Sequence, residues 1–231
     1  MKNNTGLFIM VGLALIALAL FAGVKTFKGY DRTVSVRGLC EKEVMADQAI
    51  WPIAYKIAGN DLQDMIRDIE AKNNAIVEFL VAGGISKDEI SVNAPAIIDC
   101  RTNAYSDVRT YNYIITSSIT VCTSQVQKVV DLTARQMELV QKGIPVGTAD
   151  SWEFQTVYSF NGLNDIKPEM IEEATKNARA AAGKFAKDSG SRLGKIKTAS
   201  QGQFTIENRD SNTPYIKVVR VVTGVVYYIR G

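Results

Sequence analysis

Leu7 to Val24 reads LFIMVGLALIALALFAGV, 18 residues without a charged, amide or hydroxyl side chain. As a helix rising ~1.5 Å per residue it covers ~27 Å, and continuing through Phe27 with Lys25 snorkelling it approaches the ~30 Å of a bilayer's hydrocarbon core. Such a run must meet lipid or the export machinery. A signal peptide has a shorter apolar region, ~7 to 15 residues, and ends in a small-x-small cleavage site. Here Ala17-Leu18-Ala19 lies inside the run, Leu20-Phe21-Ala22 is a poor site, and no cysteine adjoins the end to accept a lipid. The expectation is an uncleaved single-pass anchor over residues 1–30 in the inner (cytoplasmic) membrane, followed by a domain over residues 31–231. A cleaved signal releasing a soluble periplasmic chain is the alternative. Lys25, Lys28 and Arg32 follow the run whereas Lys2 alone precedes it, which opposes a positive-inside bias. Long domains translocate largely regardless of such charges, so the reading places the domain in the periplasm.

The remaining chain, with 46% hydrophobic and 22% charged residues overall, has the composition of a globular domain with a sizeable core. Its 27 basic and 24 acidic residues are interspersed, so the net charge of +3 predicts no nucleic-acid partner. Histidine is absent, which removes the commonest general base and the commonest transition-metal ligand. No phosphate-binding glycine loop and no nucleophile beside a usable base can be assembled. The expectation is a non-enzyme with no catalytic, cofactor-binding or metal site and no cofactor.

Asp165 to Gly194, DIKPEMIEEATKNARAAAGKFAKDSGSRLG, carries a complete helix program. Asp165 is placed to cap the orphan N–H groups, Pro168 suits a first turn, and Glu169, Glu172 and Glu173 complement the positive end of the dipole. Lys184 and Lys187 complement the other end, and Gly190 offers a left-handed stop. Met170, Ala174, Ala178, Ala181 and Phe185 recur at three- and four-residue steps, predicting a mostly alanine face that lies close on a sheet.

Upstream, Arg32 to Ile57 reads as two extended stretches divided at Gly38, with Pro52 pointing to an edge or a bulge. Asn60 is placed to cap a helix to Ala82, with Gln63 in the reciprocal position and Gly83-Gly84 as the stop. Leu62, Ile66, Ile69, Ile76 and Leu80 form its buried stripe. Asp61, Asp64, Arg67 and Asp68 read as a solvated first turn, since a cation among the carboxylates disfavours a metal site. From Glu89 the period becomes two, placing Ile90, Val92, Ala94, Ala96 and Ile98 on one buried face. The partner strand, Tyr111 to Val121, buries Tyr113, Ile115, Ser117, Ile119 and Val121, after a polar loop through Asn103, Ser106 and Asp107. Ser124-x-x-Gln127 reads as a capping box opening a helix closed by Gly143, Ile144 and Pro145. Trp152, Phe154, Thr156, Tyr158 and Phe160 alternate as an aromatic strand face, read as core packing. Two strands end the chain, Leu193 to Phe204 and Tyr215 to Arg230, the latter apolar on both faces and so central or committed to a subunit contact.

Strand, helix, strand, strand thus occurs twice, over Val44 to Val121 and Trp152 to Arg230, joined by the helix from Ser124 to Lys142. The fold class is α+β: tandem β-α-β-β units with mainly antiparallel sheet backed by three long helices, after one N-terminal transmembrane or signal-anchor helix. The last strand, ~53 Å long, outruns helices of ~33 to 37 Å, so some apolar surface is left for a contact between copies and a homo-oligomer is expected. Cys40, Cys100 and Cys122 show no C-x-x-C spacing. Hairpin register sets Cys100 near Tyr111 and Cys122 near Glu89, too far apart to bond, which leaves Cys40 with one of them as the remaining pairing.

Three blocks resemble one family. Thr33 to Ala49, TVSVRGLCEKEVMADQA, is similar to the opening pattern of the SIMPL domain of bacterial cell envelopes, with Gly38 and Asp47 at that family's Gly and Asp and Ala46 where it usually has Pro. Ala174 to Ile196 resembles its alanine-rich helix and G-x-x-L-G-x-[VI], and Val218 to Ile229 its closing strand. The resemblance implies an exported α+β domain without established catalytic activity, linked to envelope and oxidative-stress protection and in some members to self-assembly; it implies no catalytic residues. The function expected is a membrane-tethered envelope protein acting by self-assembly or through a protein partner. The alternative is a small-molecule-binding or peroxide-responsive domain using the thiol of Cys40 or Cys100.

Overall fold

The computed structural model describes residues 5–29, 32–102, 110–147 and 153–230, with the first helix's side chains placed at 9–21 and 23. That helix, α1, runs Thr5–Gly29. Among the described residues no helix is long and apolar enough to cross a membrane. The ends of the apolar run expected to span, residues 7, 8, 22 and 24, have side chains outside the described set. The polar loop through Asn103, Ser106 and Asp107, and Trp152 of the aromatic face, also lie outside it.

Beyond α1 the fold is α+β with antiparallel sheets, divided into two compact units. The first comprises Met1–Lys42, Asn164–Ile206 and Val219–Gly231. Its sheet has the order β1 (Thr33–Met45), β9 (Ile216–Arg230), β7 (Arg192–Gln201), with β8 (Thr205–Asn208) also on β9. The Ile229 N–H donates to the Arg32 carbonyl at 2.9 Å and Arg220 meets Glu41 at 3.3 Å, so β1 runs antiparallel to β9. Helix α5, Leu163–Asp188, buries Met170, Ala174, Ala178, Ala182 and Ala186. The buried spacing is a strict four, so Ala182 and Ala186 take the places expected of Ala181 and Phe185, and Phe185 is 64% exposed. The helix also starts two residues before Asp165, which is therefore not its cap, and Pro168 stands one turn further in. The expected stop holds, with Gly190 at φ 67°.

Gly38 does not divide two strands. It lies in the middle of β1, where a Cβ would sit 1.9 Å from the Ala174 carbonyl oxygen and 2.4 Å from the Ala178 nitrogen. The glycine is a contact surface for the alanine face of α5, where strand and helix backbones meet without an intervening strand side chain. β9 is central in the sheet, as expected, but not equally covered. Lys217, Val219, Val221, Thr223, Val225 and Tyr227 bury one face, and the residues between them are only partly buried, with Arg220 exposed.

The second unit comprises Glu43–Leu163 and Glu207–Val218. β2 (Gln48–Gly59) pairs with β5 (Tyr113–Thr123) from Ala49↔Thr123 to Gly59↔Tyr113, and β6 (Val157–Ser159) pairs only with Gln48 to Ile50. Pro52 lies just past that last pair, on a side of β2 that β6 leaves open, so its missing N–H is tolerated as at an edge. The aromatic strand is thus three residues long. Helix α2, Leu62–Ala82, is capped by Asp61, not Asn60: the Asp61 carboxylate accepts from the Gln63 and Asp64 N–H groups, and Asn60 accepts from the Asn112 N–H. Its buried stripe is Met65, Ile69, Asn73, Ile76, Phe79 and Leu80.

The strand expected from Glu89 is two short pieces on β5, β3 (Ile90–Val92) and β4 (Ala96–Asp99). The register shifts by one residue between Val92↔Ile119 and Ala96↔Thr116, around Asn93, whose side-chain amide donates to Ser118 and Thr120. A one-residue slip turns the alternation over, so the buried face predicted for this stretch does not form and Val92 and Ile98 are each 54% exposed. The expected Ser124 capping box is replaced by Thr123, whose hydroxyl accepts from the Gln125 N–H, and the third long helix is two short ones, α3 (Val126–Ala134) and α4 (Met137–Gln141).

The repeat is real in topology but nested, not tandem. In each unit the order is first strand, third strand, second strand: β2-β5-β3 with α2, and β1-β9-β7 with α5. The first strand of the repeat containing α5 is β1, 118 residues before α5 in the chain (Met45 to Leu163), and the other repeat is inserted between them.

Candidate functional site

The close approach at Gly38 carries Cys40, two residues along the same face of β1, against the next turn of α5. Cys40 is 2% exposed and its thiol donates to the Glu173 carboxylate at 3.2 Å. Lys42, two residues further, pairs with Glu169 at 2.7 Å. Burial first, then the hydrogen bond and charge of Glu173, push the Cys40 thiol up to about 11. At neutral pH it is a protonated, enclosed thiol, the opposite of the electropositive, accessible setting a reactive cysteine needs. Cys100 is half-buried and Cys122 exposed, and all three are free thiols. The Cys100 N–H bonds the Asn112 carbonyl and the β3 register sets Glu89 opposite Cys122, so these two are separated as expected and no bridge to Cys40 forms.

In the second unit, the turn between β1 and β2 presents Asp47. Its carboxylate accepts the Asn161 N–H at 2.8 and 2.9 Å, the Gly162 N–H at 2.7 Å and the Asn161 side-chain amide at 3.1 Å, while its own N–H donates to the Ser159 carbonyl. Asp47 thus holds the two residues that precede α5, the work expected of Asp165, from 114 residues away. Local capping rules read only the adjacent chain and had no signal for it.

Beneath α2, Asn73 accepts from the Tyr55 hydroxyl at 2.9 Å and the Ser117 hydroxyl at 3.0 Å. Burial pushes the Tyr55 phenol up to about 12, so this trio is neutral and structural. Asp61 caps α2, Asp64 pairs with Arg67 and Asp68 with Lys72, so the first-turn carboxylates are engaged as a solvated turn. Among the described residues no three cysteine, aspartate or glutamate side chains converge as metal ligands.

The surface offers more than these polar clusters. β3 and β4 form an outer edge of the β5 sheet, with no charge from Ile90 to Ile98 and with Val92, Ile97 and Ile98 exposed. A comparison with curated proteins finds no match. The SIMPL family model, described as a protein of unknown function (DUF541), matches residues 34–221, a span that includes Gly38, Asp47 and the alanine face of α5. The chain belongs to the SIMPL family.

Proposed function

We propose that this chain is a single-pass, membrane-tethered envelope protein whose folded part lies in the periplasm and acts without catalysis, by self-assembly or by binding a protein partner. The observation that carries the reading is the β3–β4 edge: backbone unpaired on one side among the described residues, exposed Val92, Ile97 and Ile98, and no charge from Ile90 to Ile98 to discourage pairing. The apolar excess expected on β9 is on this edge instead. Cys40 lends no support to peroxide chemistry, since its thiol is held protonated and enclosed. The tether rests on the uncharged run from Leu7 to Val24 and on the exposure of its described side chains, up to 70% at Phe21.

Intact protein should fractionate with membranes and resist alkaline extraction, whereas recovery of a soluble chain beginning near Gly23 would show cleavage. In mild detergent the full-length protein should sediment as an oligomer, and Val92→Lys with Ile98→Lys should dissociate it. A wild-type monomer at high micromolar concentration removes self-assembly and leaves the edge to another protein.

A further inference from the structure

Three arginines stand at one end of the first unit's sheet, two on one face and the third on the other. Arg192 on β7 is directly opposite Arg230 on β9, and Arg32, just before β1, accepts the Ile229 N–H. With strands ~4.8 Å apart, the three side chains leave the backbone within about 10 Å of one another. All three are exposed, and among the described residues none is in an ion pair. Exposed Lys187, in the last turn of α5, and Lys195 on β7 extend the same end, with Asp188 a carboxylate beside them and Asp31 preceding Arg32 in the sequence. Like charges directly opposed on neighbouring strands weaken a sheet, so the Arg192–Arg230 pair costs the fold stability that an anionic partner would return.

The chain's path says which partner. Helix α1 ends at Gly29, three residues before Arg32, and three residues reach at most ~11 Å. If α1 enters a bilayer, as the tether reading requires and this inference assumes, this end of the sheet, with arginines on both faces, is held at headgroup depth. We propose that Arg32, Arg192 and Arg230, with Lys187 and Lys195, form a collar that docks this end of the domain on anionic phospholipid headgroups. Guanidinium groups hold phosphate oxygens bidentately, and the tether keeps their effective concentration high. The collar also gives the basic residues on the domain side of α1 a use that runs against a positive-inside bias.

The test uses the full-length chain in nanodiscs of phosphatidylcholine alone or of phosphatidylcholine with phosphatidylglycerol. Backbone hydrogen exchange over residues 192–196 and 228–230 should slow about tenfold in the anionic discs and recover at high salt. The slowing should vanish in R192Q/R230Q and persist in R67Q/R135Q, which removes equal charge elsewhere. Equal exchange in both bilayers with α1 inserted overturns the collar and leaves the tether standing. If the chain instead washes out of both bilayers at alkaline pH, the tether fails; flotation with phosphatidylglycerol vesicles then supports the collar, and its absence overturns it. Protection by inorganic phosphate without lipid also overturns it, marking a site for soluble anions.

Discussion

The thiol of Cys40 is kept protonated by its burial against Glu173, and this has a measurable consequence for stability. Its proton is held more tightly in the folded state, up to about 11 against an ordinary 9.0, so the contribution is complete below pH 9 and is lost as pH rises from 9 to 11. Cys40→Ala should remove that component, flattening the fall in unfolding free energy over this window by ~1 to 3 kcal/mol relative to wild type. Identical pH profiles in urea titrations would mean that the thiol is not enclosed. Native-state alkylation should modify Cys122 first and Cys40 last. Asp47 makes a second residue-scale test. Asp47→Ala leaves the Asn161 and Gly162 N–H groups without their acceptor and should lower stability by about 1 to 3 kcal/mol, and an unchanged denaturant midpoint would remove the clamp.

At the scale of elements, α5 and β1 meet through small residues on both sides. Gly38→Ala should cost about 3 kcal/mol or more, because the added methyl meets helix backbone, which cannot rotate away as a side chain can. Phe185→Ser, on the exposed side, should shift stability by less than about 0.5 kcal/mol. Equal effects in urea unfolding would reverse the assignment of faces. The alanine stripe could be read to within one residue because helical periodicity is local, and the β5 alternation from Tyr113 to Val121 could be read for the same reason. The β3–β4 alternation was equally legible and yet misleading. Its hydrophobic period assumes an unbroken register, and the bulge around Asn93 turns one piece over relative to the other.

For the whole molecule, the nested order decides what can fold alone. A fragment from residue 152 to 231 contains a complete strand-helix-strand-strand pattern, but its sheet takes its first strand from β1. Without Val36, Gly38 and Cys40, the alanine face of α5 and one edge of β9 are left in water. The fragment should therefore show no dispersed amide spectrum, and adding a peptide of residues 32–47 should restore it; a folded fragment without the peptide would reinstate a tandem repeat. By itself the sequence determined the apolar run at residues 7–24, the α+β class, the stop at Gly190, the exposed first turn of α2 and the family resemblance at Gly38 and Asp47. Each depends on composition or on neighbours within a few residues. Tertiary structure alone decided that Gly38 is a helix contact inside one strand, that Asp47 holds the residues before α5, that Cys40 is enclosed by Glu173, and that three arginines share one end of a sheet. The contacts of Gly38, Cys40 and Asp47 join residues more than a hundred positions apart and Arg192 meets Arg230 across 38, with nothing in either local segment to name its partner: strand order and register bring them together, and both are set by how the core closes.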